Sequence, residues 1–123
     1  LQKMYERFPN LRIVSVENGS SFLPDLFRKL PQQKNKLMGW FKEDPLELFK
    51  EHVWINPFWE DDPYEVADLM GPERVVFGSD WPHIEGMPAP LDYVMELKEF
   101  SMEDQKKILL DNVAELNEPK PLR

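Results

Sequence analysis

The chain has 123 residues, 41% of them hydrophobic and 12% aromatic, with a formal net charge of −8 and no cysteine. That length bounds it to a single region, 1–123, with enough apolar content for a moderate core and no low-complexity tract. The acidic balance excludes a basic nucleic-acid-binding face, the lack of cysteine excludes disulfides and thiolate metal sites, and apolar runs of a few residues are too short to cross a bilayer.

The opening LQKMYERF lacks an initiator Met and reads as the middle of a helix, so the expectation is a chain cut from something longer, in a cytoplasmic setting and with no secretory signal. LRIVSV (11–16) is short and β-branched, follows the breaker pair Pro9-Asn10, and predicts a strand. It runs into the polar loop ENGSS (17–21). LPDLFRKL then predicts a helix, with Leu23, Leu26, Phe27 and Leu30 on one apolar face, and PQQKNK (31–36) reads as a solvated connector. DPLELFKEH predicts a second helix, with Asp44 as N-cap and Pro45 at the first helical position.

The second strand is expected over 53–58, leading into WEDD (59–62) and the helix PYEVADLMG, closed by Gly71. RVVFG (74–78) predicts the third strand, followed by SDWPHIEG. Two helices come last, PLDYVMELK and SMEDQKKILLDNVAEL, the second starting at Ser101 with Asp104 placed almost as in a capping box.

Strand, polar loop and helix therefore recur three times. Strands that are apolar throughout and separated by helices imply an α/β fold with a parallel sheet buried on both faces. In such sheets ligands bind outside the carboxyl ends of the strands. The polar residues expected on that rim are Glu17 and Asn18, then Asn56, Glu60, Asp61 and Asp62, then Ser79, Asp80 and His83.

Each has a plainer reading. Asp80 either caps the turn after the third strand or serves as a ligand or acid/base group. Its place directly after an apolar strand, aimed by the stiff pair Trp81-Pro82, favours the second. Glu17 sits one step past a buried strand, where a carboxylate needs solvent or a partner; a site role and a pairing with Arg12 both satisfy that. Asn56 fits backbone satisfaction at a strand end. Asp61 and Asp62 complement a helix start, and His52 a helix end. The aromatic residues read as packing, although Trp59 and Trp81 are placed to wall a pocket. No phosphate-binding glycine loop, Ser-His-Asp arrangement or paired-histidine helix is legible.

RVVFGSDWPHIEG resembles the segment around the last barrel strand of the amidohydrolase-related (amidohydrolase 2) family, metal-dependent hydrolases and decarboxylases typified by aminocarboxymuconate semialdehyde decarboxylase. YERFPNLRIVSVENGSSFLPDL resembles that family's sixth-strand segment. INPFWEDDPYEVADLMGPERVVFGSDWPH resembles the seventh and eighth, and ILLDNVAEL the closing helix.

The resemblance implies the last three βα units of a (β/α)8 TIM barrel. It makes Asp80 a metal ligand or proton-transfer group, with His83 secondary; Glu17, from its strand-end position, is a third catalytic candidate. Asn18 and Asn56 at the strand ends, with Trp59 and Trp81 beside them, are the substrate-binding candidates. A divalent metal is implied, zinc first and manganese as the alternative, with its other ligands outside this chain; such an ion lowers the pKa of a bound water.

There are departures. Many members carry a histidine where this chain has Glu17-Asn18, and the family's first-strand His-x-His pair and fifth-strand histidine have no counterpart. The expectation is an inactive portion of a larger enzyme acting on a small organic substrate, packed against the missing barrel half or forming a homo-oligomer. Hydrolysis and decarboxylation both stay open. The alternative is a non-catalytic half-barrel that self-associates or binds a partner.

Overall fold

The computed structural model describes residues 3–119. Helix α1 (Met4–Arg7) leads into strand β1 (Ile13–Ser15), helices α2 (Leu23–Lys36) and α3 (Pro45–His52), strand β2 (Val53–Ile55) and helix α4 (Pro63–Met70). The C-terminal helical stretch comprises α5 (Met102–Lys106), a π-helical turn at Lys107–Asp111, and α6 (Asn112–Asn117).

Local chemistry sets the helix ends. The Asp44 carboxylate accepts from the Leu46 amide at 2.9 Å, and the Asp62 carboxylate accepts from the Tyr64 amide at 2.8 Å. Each precedes a proline at the first helical position, whose missing N–H leaves one orphan donor fewer. Gly71 ends α4 at φ 90°, a conformation a side chain resists. The Ser101 hydroxyl accepts from the Asp104 amide at 3.1 Å.

β1 and β2 pair in parallel, with Ile13 opposite Val53, Val14 opposite Trp54 and Ser15 opposite Ile55. The expected strands at 11–16 and 53–58 are thus each shortened to three residues. Pro57 follows Asn56 and has no N–H to continue the ladder.

The expected strand 74–78 reduces to one parallel bridge, Ile55 to Val75, with the Val76 amide donating to the Ile55 carbonyl at 2.9 Å. The C-terminal helical stretch takes the groups on its far edge. The Phe77 amide donates to the Ile108 carbonyl at 3.2 Å, and the Asn112 side chain donates to the Val75 carbonyl at 2.7 Å. The order β1, β2, 75–76 is that of an α/β fold with parallel strands.

Two helix expectations also shift. PQQKNK belongs to α2, which runs through Pro31; Gln and Lys are good helix formers, and packing overrides the one lost hydrogen bond. PLDYVMELK forms a short 3-10 helix over Pro90–Met95, not an α-helix.

Register parity divides the sheet. Val53, Ile55 and Val75, with Ile13 and Phe77 partly buried beside them, join Leu23, Val66, Met70, Tyr93, Leu97 and Ile108 in the core against the helices. The alternate residues, Val14, Val16, Trp54, Asn56 and Val76, lie on the opposite face. Trp54 is buried there, with the Arg74 guanidinium 4.3 Å from its ring centre, while Val14 and Val16 stay exposed. Among the described residues no helix is long and apolar enough to cross a membrane.

Candidate active site

The ends of β1, β2 and the 75–76 segment open on one cavity of about 400 Å³. Glu17, Trp59, Glu60 and Asp80 line it, joined by Phe58 and Glu85. Glu17 and Asp80 are 63 positions apart (80 − 17), and both hold left-handed backbone, at φ 59° and 54°. Aspartate tolerates that region and glutamate does so less readily, so two non-glycine residues carry strain on the same rim.

The turn that carries Asp80 is stitched closely. The Met87 amide donates to the Ser79 carbonyl at 2.8 Å, the His83 amide to the Asp80 carbonyl at 2.8 Å, and the Gly86 amide to the His83 carbonyl at 3.0 Å. The Ser79 hydroxyl accepts from the Trp81 amide at 3.2 Å. His83 Nδ1 lies 3.1 Å from Asp80 Oδ2, with the two side chains 60% and 34% exposed.

The expected site residues therefore separate. Glu17, Trp59 and Asp80 meet in the cavity. His83 is attached to it through Asp80 and is mostly in solvent. Trp81 is 64% exposed and does not line the cavity. The Asn18 side chain donates to the Val16 carbonyl at 3.0 Å and to the Ser15 hydroxyl at 3.3 Å, closing its own loop. Asn56 is buried, donating to the carbonyls of Pro57 at 3.2 Å and Val76 at 3.3 Å, which is the backbone-satisfying role. Arg12 does not pair with Glu17. Its guanidinium donates to the carbonyls of Glu115 and Glu118, both at 2.6 Å.

Phe58 and Glu85 are lining residues that sequence reasoning does not single out. Glu85 was within reach, since it closes the same WPHIEG turn as Asp80; Phe58 carries no chemical signal of its own.

Among the described residues no group of three or more His, Cys, Asp or Glu side chains is arranged to hold a metal ion. A zinc centre takes three or four protein ligands. This chain's donors alone do not fit a complete centre.

Residues 1–116 match the family model described as Amidohydrolase. The chain is 24% identical over 124 aligned positions to the 2-amino-3-carboxymuconate-6-semialdehyde decarboxylase of Dictyostelium discoideum, covering 91% of this chain and 32% of that protein. An amidohydrolase from Mycobacterium avium subsp. paratuberculosis K-10 superposes with a TM-score of 0.89 at 43% identity, over 93% of this chain and 30% of that one.

The 5-carboxyvanillate decarboxylase of Sphingomonas paucimobilis superposes with a TM-score of 0.70 at 21% identity, over 94% of this chain and 36% of its own, a likeness of fold. The chain spans about a third of the length of these relatives. With nearly all of its residues inside the family match, it belongs to the amidohydrolase family.

Proposed function

We propose that this chain is the C-terminal portion of a metal-dependent hydrolase or non-oxidative decarboxylase acting on a small organic substrate. The observation that carries the reading is the meeting of Glu17 and Asp80, both in left-handed backbone, in one cavity at the carboxyl ends of parallel segments. Strain of this kind persists only where the surrounding structure over-determines it, and it clusters at functional sites.

Asp80 holds or moves the proton of the attacking water or of the substrate, and His83 keeps its carboxylate oriented. Glu17 faces the same space as a second proton carrier, and the Trp59 and Phe58 rings exclude bulk water. Asp80 would be one ligand of a divalent ion, zinc first, whose other ligands would come from residues outside this chain, and such an ion would supply electrophilic polarisation.

The exposed Val14 and Val16 favour a companion reading of the same fold. They lie on the sheet face opposite the helices, beside the edge of β1 that no described residue pairs, where further barrel strands from the rest of the protein would pack. A non-catalytic half-barrel that self-associates would use the same surface. Size-exclusion chromatography with light scattering and elemental analysis separates the two. In a protein carrying the full length typical of the family, bound metal supports the enzyme; a stable metal-free oligomer favours the binding module.

A further inference from the structure

Gly86 stands out because its backbone is not left-handed, so freedom in φ does not explain a glycine there. What it lacks is space. A Cβ at Gly86 would sit 2.5 Å from the Asp80 carbonyl oxygen, 2.7 Å from the Asp80 carbonyl carbon and 3.0 Å from the Ser79 carbonyl oxygen. All three are backbone atoms, which cannot rotate away as a flexible side chain does.

Nor can Gly86 retreat. On one side the Met87 amide is bonded to the Ser79 carbonyl at 2.8 Å, and the Met87 side chain is in the core. On the other, the Glu85 carbonyl accepts from the Trp59 indole N–H at 3.2 Å, across 26 positions of chain. Both neighbours of Gly86 are therefore anchored to other parts of the fold, and any added bulk is transmitted to Asp80.

We propose that Gly86 and Trp59 form a two-sided clamp that sets the position of Asp80. Gly86 is the abutment against its backbone, and the Trp59 indole holds the turn from across the cavity. They are positioning residues: they act on the reaction through Asp80. The importance of that position rests on the proposed role of Asp80, but the clamp itself is read without any assay of activity. A misplacement of about 1 Å in a reacting group costs on the order of 100-fold in rate, so such a clamp has a function to serve.

The test is NMR on the full chain, following the side-chain carboxyl carbon of Asp80 and the ring of His83, with the Asp44 carboxyl and the His52 ring as remote controls. Gly86→Ala is expected to displace the Asp80 and His83 resonances and leave Asp44 and His52 in place. Trp59→Phe, which keeps a ring but removes the indole N–H, is expected to displace the same two resonances by less, and it decides the matter alone if Gly86→Ala does not fold.

Unmoved Asp80 and His83 resonances in the folded variants would overturn the clamp, as would equal displacement of the controls. Neither result bears on whether Asp80 takes part in catalysis, which turnover of Asp80→Asn decides separately.

Discussion

The side-chain amide of Asn56 donates to the carbonyl of Val76 at 3.3 Å, tying the end of β2 to the segment that delivers Asp80. The bond does what a backbone ladder cannot do at that point, because Pro57 has no amide to offer. Asn56→Ala leaves buried carbonyls without a donor and is expected to cost about 1–3 kcal/mol, measured by urea unfolding. An unchanged midpoint would mean that this link is dispensable.

Glu17 gives a prediction of opposite sign. A left-handed glutamate costs roughly 1–2 kcal/mol relative to a residue free to adopt that region. Glu17→Gly is therefore expected to raise stability by about 1 kcal/mol while lowering turnover of the complete protein. Turnover equal to the parent's would return Glu17 to the role of a solvated loop residue.

Tyr93 makes the fold sensitive to alkali. Burial first, then the nearby Glu96, Asp61 and Asp62 carboxylates, push its hydroxyl up to about 12 from the ordinary 10.0. In the unfolded chain the phenol ionises near 10.0, while in the native protein it stays neutral until about 12. The neutral form's contribution is complete below 10.0 and is lost as pH rises through that window to about 12. Tyr93→Phe keeps the stack on Phe77, whose ring centre is 4.6 Å away. The variant's thermal midpoint should fall less than the parent's across that window; parallel curves would contradict the assignment.

The exposed sheet face predicts association behaviour. Val16, 51% exposed on the face that also carries Val14, would be covered by neighbouring strands in a complete barrel. Val16→Lys is expected to reduce self-association of this chain, seen as a lower mass by light scattering, because burying an unpaired ammonium is costly. An unchanged mass would place the contact elsewhere.

Much of the helical framework was legible because its signals are local. The Asp44-Pro45 and Asp62-Pro63 pairs and Ser101 act on amides two or three positions away; Asp44 and Ser101 cap as expected, and Asp62, expected only to complement a helix start, caps it. The parallel order was legible from the alternation of apolar runs with helices. Strand lengths were not, since on its far edge the 74–78 segment bonds not to another strand but to Ile108 and Asn112, more than 30 residues further on.

His52 shows the same limit. It ends α3 as its position suggests, but its bond with the Leu11 carbonyl at 2.7 Å and its stack on Tyr5, at 4.5 Å between ring centres, join distant segments that no local pattern connects. At the site, Glu17 and Asp80 were legible as strand-end residues and Trp59 as a pocket wall, and all three line the cavity. Asn18 did not separate from them, and Asn56 carried both readings, because an amide bonded to its own backbone and one facing a ligand look alike in sequence.

The most direct measurement is turnover of Asp80→Asn in a protein carrying the full length typical of the family, alongside its bound metal and its thermal midpoint. Asparagine tolerates the left-handed backbone at this position, so the fold should be kept while the carboxylate is lost. The account predicts a fall in kcat of about 100-fold or more with little change in thermal midpoint. Turnover close to that of the unsubstituted protein would contradict it.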